Sequence, residues 1–269
     1  MKKALATSGI NDGKKGQLIQ MGEAAIRKGI KVIGLDDESG QRVINRGTEL
    51  FDAILDKMRE LSLELPEMPF FGIADWQAFN GIVFTPKQIA SVAKFPWSDA
   101  VLNAPCPFHH GKMVRETHFA FVGKEGMTIM ELQQLFPQSG QPRFYSYAPD
   151  AWYSNQQFAT KETLKFRWYL LLKDIVPGSE NTTFEKQKAM LPKGYEVPSA
   201  AAETAKDLLV FKKIGIHANS NRYARTSSLD SDGDRVRVGF CDAGGVDVSA
   251  RRDGDHGGGV GVGASRKFE

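Results

Sequence analysis

Near its C-terminus the chain places apolar residues at every second position in three separate runs: Val236, Val238 and Phe240; Val246, Val248 and Ala250; Val260, Val262 and Ala264. Successive side chains of a β-strand point to opposite faces, so each run requires a strand with one buried and one outward face. The pattern predicts three short antiparallel strands, with Arg235, Arg237 and Gly239 facing away from the core in the first. The links between them, Cys241 to Gly244 and Arg251 to Gly259, are rich in turn formers. The second is long enough to be a binding loop.

A compositional bias overlies this alternation. From Ile214 to Arg266 there is no Lys, Glu, Gln, Met or Trp, although the preceding residues use all five. Gly, Asp, Ser, Arg, Val and Ala fill their place. A disordered Gly-rich tail fits the composition but not three alternations in phase. The stretch therefore reads as a folded surface under unusual selection, and as the functional end of the chain.

Upstream, Ile44, Phe51, Ile54, Leu55, Met58 and Leu61 recur at helical spacing, and Pro66 with Pro69 ends the pattern. One amphipathic helix is expected from about Gln41 to Leu63, within a separate helical segment over residues 1–67 that packs on its own domain, self-associates or docks a partner. From Met68 on, strand-like runs (His118 to Val122, Arg143 to Tyr147, Phe166 to Leu172) interleave with helical ones (Pro86 to Ala93, Thr128 to Leu135, Phe184 to Leu191). A further helix follows Pro198, capped by Ser199, with Ala202, Ala205, Leu208, Leu209 and Phe211 as its buried stripe. The fold class is α+β, with a second domain over residues 68–269.

The global numbers narrow the function. A chain of 269 residues with 41% hydrophobic content can bury a sizeable core, and a net charge of +3 from 35 basic and 32 acidic residues does not call for nucleic acid or an anionic membrane. Two cysteines, Cys106 and Cys241, make no disulfide framework, so reduced thiols are expected. The basic start meets Thr7, Gly9, Asn11 and Asp12 before any apolar run, unlike a secretory signal, and no run reaches membrane-spanning length. The default expectation is a cytoplasmic location, with another route of export left open.

Two segments carry a family resemblance. Gly194-Tyr195-Glu196-Val197-Pro198-Ser199-Ala200-Ala201 before a helix is similar to the GYRLPTEAEWE signature of the formylglycine-generating-enzyme-like branch of the C-type lectin fold. Arg222-Tyr223-Ala224-Arg225-Thr226-Ser227-Ser228, a strand, Gly244-Gly245, a strand and Val260 to Phe268 resemble the closing β-sheet of that fold. In that branch a hypervariable version of the sheet characterises the target proteins of diversity-generating retroelements. There a reverse transcriptase randomises template adenines, and asparagine codons turn into codons for Asp, Gly, Ser, Arg, His, Cys, Ala and Val, never Lys, Glu, Gln, Met or Trp. The resemblance implies a ligand-recognition protein with a C-type-lectin-like domain and a variable region over about 226–266. Its ligand would be an unknown macromolecule, a protein before any other, with neither nucleic acid nor membrane insertion involved.

On that reading the ligand-binding residues are Arg235, Arg237, Cys241, Asp242, Asp247, Ser249, Arg251, Arg252, Asp253, Asp255 and His256, with Gly261 also outward. No Trp or Tyr follows Tyr223, which leaves Arg235, Arg237, Arg251 and Arg252 as the contact anchors. No cofactor is expected. Cys106, His109, His110 and His118 are zinc-ligand types at no standard spacing, and Asp230, Asp232 and Asp234 offer alternate carboxylates to calcium without completing a known loop. The alternative class is a metal-assisted or redox enzyme of the formylglycine-generating-enzyme-like group. The paired carboxylates Glu203 and Asp207, one helical turn apart, read as solvated helix charges.

Overall fold

A computed structural model describes residues 68–136, 139–147 and 150–268. The segment over residues 1–67, with the helix expected over Gln41–Leu63, lies outside the described residues. The chain groups into two compact units, and the described part of the first is Ile73–Lys94. It holds helices α1 (Ile73–Asn80) and α2 (Pro86–Ser91). Thr85 opens α2 with a capping box, its hydroxyl accepting from the Gln88 backbone while the Gln88 side chain accepts from Thr85.

Residues 68–72 and 95–268 belong to the second unit. Its helices are α3 (Asp99–Leu102), α4 (Val114–Thr117), α5 (Ile129–Leu135), α6 (Gln157–Thr160), α7 (Phe184–Ala189) and α8 (Ala200–Ile214). Its first sheet contains β1 (Phe70–Phe71), β2 (His118–Val122), β3 (Trp168–Leu172), β4 (Tyr195–Glu196) and β9 (Ser265–Arg266), in the order β1-β2-β3-β9-β4. Strands β2 and β3 are unbroken apolar runs, HFAFV and WYLLL, and every residue of both is buried, as covering both faces requires. The expected strand over Arg143–Tyr147 reduces to one parallel bridge, Phe144 to Val246.

The second sheet takes the order β7-β6-β5-β8, from β5 (Tyr223–Leu229), β6 (Arg235–Asp242), β7 (Gly245–Arg251) and β8 (Val260–Val262). The α+β class expected from the sequence is observed. One expectation needs correction: β6 and β7 pair antiparallel, but the third alternating run, β8, lies parallel to β5. The chain leaves β7, crosses the outward side of β5 as a loop, and enters beside β5 at the far edge.

Helix α8 packs against β1, β2 and β3 of one sheet and β5, β6 and β7 of the other. Ser199 caps it by accepting from the Ala202 N–H, Glu203 sits in its first turn, Lys212 and Lys213 in its last, and Gly215 closes it in the left-handed region at φ 71°. A single buried stripe was expected, yet every residue from Ala200 to Val210 is buried, because sheets cover the helix on both sides. Ala200, Ala201, Ala202 and Ala205 allow that close approach. Phe211, placed in the stripe from the sequence, is half-buried.

Candidate functional site

The alternation in β6 and β7 holds through most of its length. Val236, Val238, Val246 and Val248 are buried, and across the ladder Arg235 pairs with Arg251, Arg237 with Ser249 and Gly239 with Asp247. Cross-strand partners share a face about 5 Å apart. Arg235, Arg237, Asp247, Ser249 and Arg251 thus form one outward surface.

The phase then breaks. The β6–β7 register shifts between Gly239 and Asp242, with Gly239 at φ 157° and Phe240 at φ 48°. Only glycine fits the first position, since a Cβ there would lie 2.0 Å from the Arg222 carbonyl oxygen. This bulge reverses the expected facing: Phe240, expected in the core, is 43% exposed, while Cys241, expected to contact ligand, is 1% exposed. The Cys241 thiol donates to Asp207 at 3.1 Å, and burial pushes its pKa well up. Cys241 belongs to the scaffold.

Gly261 also leaves the outward set. A Cβ there would lie 2.5 Å from both Ile175 Cδ1 and Ser179 Oγ, so side-chain variation at this position has no room.

The outward side chains are organised in pairs. Arg235 grips Asp253 through Nε at 3.0 Å and Nη2 at 2.8 Å, with its guanidinium 4.0 Å above the Phe184 ring. Arg237 lies 4.1 Å from the Tyr223 ring centroid, with Nη2 3.4 Å from Ser249 Oγ. Arg251 meets Asp255 at 3.5 Å. Asp242 is exposed and accepts from the Gly244 N–H at 2.6 Å, and Arg252, Asp255 and His256 are exposed on the loop.

Asp247 is more deeply engaged than an outward strand residue would be, because its carboxylate accepts from the hydroxyls of both Tyr147 and Tyr223. Burial, reinforced by this carboxylate, pushes both phenols far above their ordinary value. Asp247→Asn is therefore expected to cost about 1–3 kcal/mol, the worth of charge-assisted hydrogen bonds. Urea denaturation checks this, and an unchanged midpoint would show that the tyrosine hydroxyls hold the face without the charge.

The structure adds aromatics that the sequence reading missed. Tyr145, Tyr147 and Trp152 come from a segment about a hundred residues upstream of β7 and line its edge. The Tyr145 N–H donates to the Val246 carbonyl at 2.9 Å, and Trp152 Nε1 donates to the Val248 carbonyl at 2.7 Å. Tyr145 is 47% and Trp152 38% exposed. The alternation of Phe144 inward with Tyr145 outward was the available signal, but nothing local specified which strand they would join.

The remaining candidates have structural surroundings. His118 is buried, with Nδ1 bonded to Thr117 Oγ1 and the Val114 carbonyl and Nε2 3.2 Å from the Tyr195 hydroxyl. Burial depresses its pKa to about 3. Cys106 packs with Leu172, Val176, Phe184, Tyr195, Val262 and Ala264, in surroundings unrelated to those of Cys241. Asp230 Oδ1 accepts from the Asp232 and Asp234 N–H groups at 2.9 Å each, which makes the calcium candidate the turn of the β5–β6 hairpin. Among the described residues, no three His, Cys, Asp or Glu side chains gather closely enough to hold a metal ion. No helix among them is long and apolar enough to cross a membrane.

Glu203 and Asp207, expected to be solvated, are each 1% exposed. Lys206, fully buried between them, bonds Glu203 and lies 3.0 Å from Asp207, and Asn219 Nδ2 donates to both carboxylates. Burial pushes Asp207 above the ordinary carboxylate range, against the pull of Lys206. Burial alone would lower Lys206, but the two carboxylates overcome it and hold the ammonium charged.

Compared with protein-family models, with curated proteins and with solved structures, the chain matches none.

Proposed function

We propose that this is a ligand-recognition protein, with a domain of C-type-lectin type, whose binding face is the outward side of β6 and β7 with the loop from Arg251 to Gly259, diversified by a retroelement to take varied macromolecular targets. One observation carries the reading: the loop is held by its main chain. Arg225, on the outward side of β5 but 0% exposed, donates to the carbonyls of Arg252 at 3.2 Å and Asp255 at 2.6 Å. The Phe184 N–H donates to the Asp253 carbonyl at 3.0 Å, and the Tyr223 N–H to the Gly259 carbonyl at 2.7 Å.

Backbone bonds of this kind persist whichever side chains the loop carries, so its sequence can change while its shape is kept. Within the biased stretch, the loop and the outward position Ser249 are where variation costs little, while Gly239, Cys241, Asp247 and Gly261 hold the scaffold. The valines beneath the face belong to the core.

A library randomised at Arg251–Gly258, Arg235, Arg237 and Ser249, with Gly239, Cys241, Gly245, Asp247 and Gly261 kept, tests this. Most members are expected to express as folded protein, and sorting against immobilised proteins is expected to yield binders. A second copy of the last hundred or so nucleotides beside the gene, differing at adenines only, is the expected genomic counterpart. General misfolding of the library would remove the main support.

A further inference from the structure

We propose that a hollow beside β7 is a cation cage that receives a lysine or arginine side chain from a partner protein. It encloses about 240 Å3, and its polar and aromatic lining comes from Gln133, Tyr145, Ser146, Tyr147, Asp150 and Ser154. Pockets for whole small molecules usually span roughly 300–1,000 Å3, so this one suits the head of a single side chain.

Two walls of the cage are aromatic. The Tyr145 and Tyr147 rings have centroids 5.0 Å apart and planes at 72°, forming a corner. A cation in such a corner lies near two negative ring faces at once, and cation–π attraction acts within about 6 Å of a centroid. Tyr147 is held in place because its hydroxyl donates to the Asp247 carboxylate. Donation to an anion also raises the electron density of the ring, which strengthens its hold on a cation.

Charge specifies the occupant. Asp150 is exposed at the rim, and no lining residue is basic. The basic side chains of the neighbouring sheet are already committed: Arg237 to Tyr223 and Ser249, Arg235 to Asp253, Arg251 to Asp255. Ser146, Ser154 and Gln133 can accept from ammonium or guanidinium protons without supplying a competing charge.

The cage is pinned to the sheet. Tyr145 N–H and Val246 N–H bond across to Val246 and Arg143 carbonyls at 2.9 and 2.8 Å. It therefore presents a fixed contact, built from residues outside the biased stretch, beside a changeable one. The assignment of a protein partner rests on the recognition reading above; the preference for a cation rests on the cage alone.

The test is a titration of the full chain with N-acetyl-lysine amide, N-acetyl-arginine amide and the uncharged N-acetyl-norleucine amide, followed by the backbone amide resonances of Tyr145, Ser146 and Asp150. The charged probes are expected to give saturable shifts, with the neutral one at least about tenfold weaker. Asp150→Asn and Tyr145→Leu, both at exposed positions, are each expected to weaken the cations about fivefold or more while the melting temperature holds. Equal binding of norleucine, cation binding indifferent to both substitutions, or no saturation at tens of millimolar overturns the proposal. These readouts need no macromolecular ligand and no change at Arg251 to Gly258. Failure of the cage and failure of the diversified face are therefore distinguishable.

Discussion

Replacing Lys206 by Met is expected to lower the stability of the protein by about 3–5 kcal/mol at neutral pH, the usual cost of removing one partner from a buried ionic cluster. The substitution leaves Glu203 and Asp207, each 1% exposed, facing one another without a cation. Asn219 Nδ2 bonds both carboxylates but carries no charge. Protonation is the remaining relief, so part of the loss should be recovered on acidification.

The sign follows from the direction of the shift. Asp207 titrates higher in the folded chain than in the unfolded one. Between about pH 4 and the raised value, the folded state therefore binds a proton that the unfolded state does not. Stability from this group is fully present below about pH 4 and is lost as pH rises through the folded value. Removing Lys206 raises Asp207 further, so the variant should show a steeper decline over that window than the parent. Urea denaturation across the acid-to-neutral range measures it. A loss under about 1 kcal/mol, or one that grows on acidification, would show that the cluster is hydrated. Neutralising the whole cluster at once, with Glu203→Gln and Asp207→Asn added to Lys206→Met, should recover most of the stability, since the penalty is the unpaired charge.

That cluster also marks where the sequence stops being legible. The helix itself is readable: the Ser199 cap, the Ala-rich body and the Gly215 terminus are local signals. Whether Glu203 and Asp207 meet water depends on a second sheet closing over the helix, which no spacing within residues 200–214 encodes. The valine alternation gives β6 and β7 correctly because period two is a local property. It fails at Phe240 and Cys241, where the close approach of Gly239 to the Arg222 carbonyl inserts a bulge and exchanges the two faces. The parallel placement of β8 was equally hidden. It is fixed by where the loop from Arg251 to Gly259 crosses β5, not by the pattern of β8.

The candidate face shows the same division. Its outward arginines and carboxylates follow from strand parity. Its aromatics, Tyr145, Tyr147 and Trp152, come from a distant segment whose one ladder contact to β7 is the Phe144–Val246 bridge. The expectation that only arginines would anchor a ligand is thereby altered. Phe240 adds to them, exposed by the bulge, its ring 4.6 Å from that of Tyr223. Rigid aromatics beside adaptable polar positions are the composition of an effective paratope.

Replacing Arg225 by Met is expected to have the second large effect, about 3 kcal/mol or more, together with loss of order in the loop from Arg252 to Gly259. Besides the Arg252 and Asp255 carbonyls, its guanidinium reaches Gln187 Oε1 at 3.1 Å and the Thr182 carbonyl at 3.3 Å. Hydrogen bonds from a charged donor are individually strong, and their removal takes away the side chain that ties the Arg252, Asp255 and Thr182 carbonyls to β5. Methionine fills much of the same volume, so the expected cost comes from the lost donors and not from a cavity. Amide hydrogen exchange should show protection falling at Phe184 and Tyr223, whose N–H groups bond the Asp253 and Gly259 carbonyls, while β2 and β3 keep theirs. The same measurement on members of the randomised library should show these amides still protected, because there the side chains change but the carbonyls remain. If Arg225→Met leaves the loop protected, its shape is set by the loop's own side chains. Substitution within Arg251 to Gly258 would then alter the fold as well as the contact, and a surface built for variation could not be placed there.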